Sequence, residues 1–104
     1  MLNQVVLVGR LTSDPEINEV ENSRKVTTIT LAVSRSYKNL NGEYETDFIK
    51  CYLWNAIAET TAEYCKKGDI VGVKGRLQCL SGNELQVVAE KVSFLSSRKE
   101  EDRD

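Results

Sequence analysis

The sequence predicts an all-β protein with one short helix, in the order three strands, one helix and two strands. Two stretches, residues 26–36 and 45–54, alternate apolar and polar side chains, and an Asn-Gly pair lies between them. A single amphipathic segment follows at residues 55–67. Alternation is typical of strands with one buried face, and a period near 3.6 residues is typical of a helix.

The first strand is predicted at residues 3–11, NQVVLVGRL, a nearly continuous run of β-branched residues and leucine. Such a run is typical of a strand buried on both faces. The Asp14-Pro15 pair then predicts a turn, and residues 12–25 are predicted to form a polar loop.

The second and third strands are predicted to form an antiparallel hairpin, because Asn41-Gly42 is a strong hairpin signal. In the second strand Ile29, Leu31 and Val33 are predicted to face the core. The opposite face carries smaller residues: Thr28, Thr30, Ala32 and Ser34.

Asn55 is predicted to be the N-cap of the helix, with Lys66 and Lys67 in its last turn and Gly68 as its end. One side of this helix is predicted to carry Ile57, Thr61, Tyr64 and Cys65.

The last two strands, DIVGVKGRLQCL and ELQVVAEKVSFL, are predicted to join through a tight turn at residues 81–83. The alternation slips at Glu90-Lys91, which predicts a β-bulge. Glycines within the predicted strands mark sharp bends: Gly9, Gly72 and Gly75. The whole order matches a five-stranded OB-fold barrel, whose second and third strands bind oligonucleotides.

Composition predicts a soluble protein, and 104 residues are enough for one domain. The domain is predicted at residues 1–96, followed by a short polar disordered tail at residues 97–104. No apolar run is long enough to cross a membrane and no targeting leader is visible, which predicts a cytoplasmic protein. Three widely spaced cysteines fit neither a disulfide framework nor a zinc site, and histidine is absent. No metal and no cofactor are therefore predicted.

The third strand carries the strongest functional signal. Phe48, Lys50, Tyr52 and Trp54 occupy alternate positions, so a strand would place three rings and one cation on one face. Aromatic rings beside cations suit unpaired nucleic acid, because bases stack on rings and cations contact phosphates. The rings could equally pack against a second sheet or a partner subunit, but a lysine among them favours an open face. The net charge of −2 means that any such binding needs a local patch.

Several motifs in order resemble the bacterial single-stranded DNA-binding protein family: NQVVLVGRLTSDPE, ITLAVSRSYKN, TDFIKCYLWN and AETTAEYCKKGDIVGVKGRLQ. The resemblance covers residues 2–79, with the strand near residues 90–95 recognisable beyond. It implies an OB domain that forms a homotetramer and binds and protects single-stranded DNA without sequence preference. The implied setting is replication, repair, recombination or DNA uptake, in a bacterial cytoplasm near the nucleoid, with no enzymatic activity.

Carried over by motif, the stacking aromatics of the family fall on Tyr37, Phe48 and Trp54, and a backbone-contacting cation falls on Lys50. Tyr52 occupies a position that is often aliphatic in the family, so its predicted stacking role depends on strand alternation. Further phosphate contacts are predicted for Asn3, Arg10, Arg35, Lys38, Lys67, Lys74 and Arg76.

The chain departs from the family pattern in two places. The hairpin between the last two strands is very short at residues 79–84, which puts one stacking site and part of the DNA path in doubt. The end, EEDRD, has acids without the phenylalanine-tipped peptide that recruits repair and replication enzymes, so tail-mediated recruitment is not expected. The chain resembles a short, tail-less paralogue.

Three other functions remain open on the sequence alone. An OB-fold primosomal accessory protein would bind DNA mainly within a replication complex. A metal-dependent nuclease would need convergent carboxylates, for which Asp14, Glu16, Glu45 and Asp47 are candidates. A role in assembly would use the apolar first strand, which we predict to support a homotetramer or, failing that, a dimer.

Overall fold

The computed structural model describes residues 1–79 and 82–96, in which five long strands close into a barrel beside one α-helix. The elements are β1 (Val5–Leu11), β2 (Asn18–Glu19), β3 (Lys25–Lys38), β4 (Tyr44–Trp54), α1 (Asn55–Tyr64), β5 (Ile70–Cys79) and β6 (Leu85–Ser96). The sheet order is β1-β5-β6-β4-β3-β2, and β1 also pairs with β3, which closes the barrel. The predicted OB-fold is confirmed. The predicted tail at residues 97–104 lies outside the described residues.

The β3–β4 hairpin follows the alternation in the sequence. Ile29 pairs with Cys51 and Leu31 with Ile49, and the side chains of Ile29, Leu31 and Cys51 are buried in the core. Gly42 adopts φ +80°, a left-handed conformation that glycine reaches without a Cβ penalty, at the turn predicted from Asn41-Gly42. The predicted antiparallel hairpin is therefore confirmed.

The core fills the inside of the barrel with aliphatic side chains and two thiols. Its buried members are Leu11, Ile29, Leu31, Cys51, Leu53, Ala58, Cys65, Val71, Val73, Val87 and Ala89. Burial raises the pKa of the Cys51 thiol to about 11, so this thiol stays protonated and unreactive at neutral pH. Cys51 and Cys65 are buried, Cys79 is exposed, and all three cysteines are free.

The helix differs from its prediction at both ends. Asn55 is not the N-cap: it has φ +54°, and its side-chain Oδ1 accepts a hydrogen bond from the backbone N–H of Lys25 at 3.2 Å. Trp54, the last residue of β4, occupies the cap position without a side-chain cap bond. The helix stops at Tyr64, so Lys66 and Lys67 lie beyond its last turn. Asn55 thus joins the start of β3 to α1 instead of capping the helix.

The face of α1 that packs on the barrel is narrower than the sequence indicated. Ala58 and Thr61 are buried, whereas Tyr64 is exposed and contacts Phe94, with 5.9 Å between the ring centroids.

In the described residues, no helix is long and apolar enough to span a membrane.

The first strand is buried on one face only, which corrects the prediction of two buried faces. Val6 and Val8 are 68% and 54% exposed on the outside of the barrel, while Leu11 is buried. Among residues 1–79 and 82–96 the helix does not cover that outer face, because it packs against β3, β4 and β6.

The loop at residues 12–25 also has more structure than predicted. Asn18 and Glu19 pair with the start of β3 as a short hairpin. The reversal is possible because Asn22 and Ser23 both adopt positive φ, which a short polar side chain tolerates.

A bulge bends β6 where β5 turns the corner of the barrel. Lys74 pairs with Lys91 and Gly75 with Ala89, which leaves Glu90 as the extra residue, as the slip in the sequence predicted. Gly75 has no space for a side chain: a Cβ there would lie 2.1 Å from the backbone oxygen of Val88. Barrel closure therefore requires glycine at this position.

Gly75→Ala is expected to lower the free energy of unfolding by about 1–3 kcal/mol, because the added methyl collides with rigid backbone. Gly72→Ala is the matched control, since its Cβ would lie 3.5 Å from the nearest atom, the Cδ1 of Leu95. Urea unfolding at one fixed protein concentration, followed by tryptophan fluorescence, measures both variants. Equal midpoints for the two variants would contradict this account of the corner.

Candidate nucleic-acid interface

The outer face of the β3–β4 hairpin carries the aromatic residues of β4. Phe48, Lys50, Tyr52 and Trp54 lie opposite small or short residues of β3: Ala32, Thr30, Thr28 and Val26. We call these eight residues the β3–β4 outer face. Directly opposed residues of antiparallel strands share a face. The large side chains of β4 therefore project beyond the smaller side chains of β3.

Phe48 and Lys50 are the open part of this face. The side chain of Phe48 is 67% exposed, although a phenylalanine gains free energy from burial. Lys50 is exposed and has no carboxylate partner within the part of the chain that the structure describes. An uncovered ring beside an unpaired ammonium group is available to a ligand.

Trp54 is half-buried, and a cation lies over its ring. The guanidinium carbon of Arg24 is 5.3 Å from the centroid of the Trp54 ring, a cation–π contact. The Nε of Arg24 also donates a hydrogen bond to the backbone oxygen of Glu21 at 3.3 Å. A base that stacked on Trp54 would therefore lie close to the Arg24 guanidinium.

Tyr52 lies at the junction of two strand pairs. It pairs with Val88 across the parallel β4–β6 contact, and Val88 pairs with Arg76 on β5. Tyr52 is half-buried, and Arg76 forms an ion pair with Glu90, with 3.1 Å between Nη1 and Oε2. Tyr52 and Arg76 therefore lie in one row of paired residues across β4, β6 and β5. This position gives both side chains a structural role in addition to the predicted contact with nucleic acid.

Arg10 is a further cation that the structure brings to the outer face, in addition to Lys50 and Arg24. It pairs with Ala32, which in turn pairs with Phe48, so the three lie in one row across β1, β3 and β4. Its Nη1 donates to the backbone oxygen of Gly68 at 2.7 Å, which fixes the guanidinium beside the sheet. An open groove lined by Val8, Arg10, Ala32 and Ser34 adjoins this row.

Arg35 lies on the reverse face of the hairpin. Its Nε and Nη2 donate to the two oxygens of Asp47 at 3.1 and 3.0 Å, and its Nη1 lies 3.0 Å from Oε1 of Glu45. This two-bond geometry is the strong form of an arginine–carboxylate pair. The pKa of Asp47 is lowered, chiefly by the hydrogen bonds from Arg35. These contacts favour a structural role for Arg35 over the predicted phosphate contact.

The other predicted contacts are spread over the surface. Asn3 bonds the backbone of Leu77 at both ends of its amide, at 2.8 and 2.9 Å. Lys74 is exposed on β5 and Tyr37 is 65% exposed near the hairpin tip. The backbone N–H of Lys67 donates to Asp14 at 2.7 Å, and Lys67 lines a pocket with Thr28 of the β3–β4 outer face. Lys38 contacts Tyr44, as described below.

The carboxylates proposed for a nuclease do not converge. Glu45 and Asp47 bind Arg35, whereas Asp14 accepts the bond from Lys67 on another part of the barrel. In residues 1–79 and 82–96 no three Cys, Asp or Glu side chains form a cluster that could hold a metal ion.

Comparison with known proteins identifies the family. A model described as the single-strand binding protein family matches residues 2–95. The chain belongs to this family. It is 46% identical to single-stranded DNA-binding protein B of Bacillus subtilis, with 97% of this chain and 96% of that protein aligned. It is 49% identical to a single-stranded DNA-binding protein of Halalkalibacterium halodurans, of which it spans 63%, and 47% identical to single-stranded DNA-binding protein 3 of Listeria innocua, of which it spans 67%. The resemblance drawn from the motifs is confirmed.

Two exposed or ring-contacting side chains near the candidate interface, Tyr44 and Arg24, were not identified from the sequence. Tyr44 precedes Phe48 by four residues, so extending the alternation by two steps would have found it. Arg24 follows an irregular loop, where no periodicity points to a face, and nothing in the sequence indicated its contact with Trp54.

The Arg35–Asp47 pair makes a pH prediction. A carboxyl group with a lowered pKa stabilises the folded state above its unfolded pKa, and this contribution disappears as the pH falls through the folded pKa. Carbon-13 carboxyl NMR is expected to give Asp47 a midpoint below the ordinary 3.8, and Arg35→Gln is expected to raise it. Arg76→Gln, which breaks the pair with Glu90 instead, should leave Asp47 unchanged. An unmoved Asp47 midpoint in Arg35→Gln would contradict the assignment.

Proposed function

We propose that this chain binds single-stranded DNA without sequence preference and protects it, through residues 1–96, in replication, repair, recombination or DNA uptake in the bacterial cytoplasm. The single observation that carries the proposal is the open β3–β4 outer face, with Phe48 67% exposed beside the unpaired Lys50. The relatives named as single-stranded DNA-binding proteins support the same function.

Stacking would contribute more of the affinity than charge does. The chain has a net charge of −2, so no general positive field attracts the strand. Bases would stack on Phe48 and Trp54. Arg10, in the same row as Phe48, and Lys50, two residues along β4, would contact phosphates. Rings accept any base, since every base has a flat π-face, and this explains binding without sequence preference.

Phe48→Ala is expected to weaken the binding of oligo-dT about tenfold or more, since one stacked base is worth about 1–3 kcal/mol. Lys50→Ala should weaken binding less at moderate salt and lower the slope of log K against log salt by about 0.7, as loss of one phosphate contact does. Titration of Trp54 fluorescence with oligo-dT measures both variants.

Phe94→Ala is the control, because Phe94 is exposed on β6 and contacts Tyr64 away from the outer face. Trp54→Ala should also weaken binding more than Lys50→Ala does. The anisotropy of a labelled oligonucleotide measures this loss of affinity. Equal or reversed losses would contradict the ranking. Failure of the isolated chain to bind oligo-dT would favour an accessory protein that meets DNA only within a complex.

We further propose that the chain forms a homotetramer, with a dimer as the smaller alternative. Val6 and Val8 on β1 and Leu95 on β6 are exposed and line one shallow depression, which we call the β1 apolar patch. A contiguous exposed apolar surface marks an interaction site, and a second copy of the same strand can cover it symmetrically.

Light scattering at micromolar concentration is expected to give a mass near that of four chains of 11.7 kDa. Val8→Glu should reduce the mass, because it places a charge in the β1 apolar patch. Ser13→Glu adds the same charge in the exposed loop and should leave the mass unchanged. A monomeric unmodified chain would overturn the proposal, and a dimer would retain the patch as its interface.

A further inference from the structure

The tip of the β3–β4 hairpin carries a second aromatic residue beside a cation. Tyr44 is 59% exposed, and the Nζ of Lys38 lies 5.7 Å from the centroid of its ring. The two residues pair directly across the hairpin. This is the same combination of ring and cation as Phe48 with Lys50, at a place outside the eight residues of the outer face.

The strand register places Tyr44 on the same side as Phe48. Between the pairs Ser34–Thr46 and Lys38–Tyr44, β3 advances four residues while β4 advances two. The irregularity therefore lies in β3, and the alternation of β4 continues unbroken from Trp54 to Tyr44. At about 3.3 Å per residue, Tyr44 lies about 13 Å beyond Phe48, which itself lies about 20 Å from Trp54.

The hairpin tip is held in one conformation by Asn39. Its Oδ1 accepts hydrogen bonds from the backbone N–H groups of Asn41 and Glu43 at 2.9 and 3.0 Å. Its own backbone N–H donates to the oxygen of Glu43 at 2.8 Å. A side chain that bonds its own turn is typical of asparagine, and the result is a fixed base for Tyr44.

The reverse face of the same hairpin is braced by Arg35, which binds both Glu45 and Asp47. Glu45 is the residue after Tyr44, so the ion pairs restrain the backbone that carries the ring. A ring held in position before the ligand arrives loses less conformational freedom when a base stacks on it.

We propose that Tyr44 and Lys38 form a further base-stacking position, which extends the path of bound single-stranded DNA from the β3–β4 outer face to the hairpin tip. The inference rests on the proposed function. Lys38 covers one side of the Tyr44 ring and contacts the phosphate of the nucleotide that stacks on the other side.

The structure offers a matched control for an exposed tyrosine. Tyr64 at the end of α1 is 63% exposed, close to the value for Tyr44, but its ring packs on Phe94. Tyr64→Ala therefore removes a ring of equal exposure from another surface.

The experiment compares labelled oligo-dT of about four and about sixteen nucleotides, the range of site sizes for one OB fold, by fluorescence anisotropy. Tyr44→Ala is expected to weaken the longer oligonucleotide about tenfold and the shorter one less than twofold, because four nucleotides do not span Trp54 to Tyr44. Tyr44→Phe should bind as the unmodified chain does, since stacking needs the ring and not the hydroxyl. Tyr64→Ala should change neither affinity.

The outcomes separate this inference from the proposed function. No binding of either oligonucleotide by the unmodified chain would refute the proposed function itself. A loss for Phe48→Ala with no loss for Tyr44→Ala on the longer oligonucleotide would overturn only the tip position. Equal losses for Tyr44→Ala and Tyr64→Ala would overturn it as well, because the effect would then not belong to the hairpin.

Discussion

The pairing of β3 with β4 is the constraint on which the rest of the structure depends. Successive side chains of β4 point to opposite sides, so Cys51 and Leu53 fill the core while Phe48 and Lys50 face outward. A slip of one residue in this register would bury the lysine and expose the core. The same set of backbone hydrogen bonds therefore fixes both the stability of the barrel and the composition of the β3–β4 outer face.

The other elements keep that hairpin in register. The Arg35 ion pairs act on its reverse face and Asn39 orders its turn, while β6 pairs with β4 on the side away from β3. The corner at Gly75 allows β5 and β6 to curve back to β1, and β1 pairs with β3 on the far side of the hairpin, so the sheet closes into a barrel. Small residues on β3 complete the arrangement, since larger ones would cover the rings of β4.

The parts of the fold that follow from periodicity could be predicted from the sequence. Alternation identified the core face and the aromatic face of the hairpin, Asn41-Gly42 identified its turn, and the slip at Glu90 identified the bulge. Contacts between distant segments left no periodic signal. The bond of Asn55 to Lys25 and the cation–π contact of Arg24 with Trp54 depend on how the segment before β3 meets the end of β4, and local pattern cannot supply this. The open outer face of β1 was misread because an apolar run looks the same whether the chain or a second copy covers it.

Strand alternation also explains how an acidic chain presents a basic surface. Glu45 and Asp47 occupy odd positions of β4, so they point to the reverse face, where Arg35 neutralises part of their charge. The even positions from Thr46 to Trp54, and the β3 residues opposite them, contain no carboxylate. Lys50 and Arg10 therefore have no carboxylate among the paired residues of this face, although Asp14 and Glu16 line a pocket that includes Thr28. Because such a local field is screened within about 10 Å at ordinary salt, the proposed function would use it on a DNA strand already in contact with the rings, and it would do little to attract a strand from a distance.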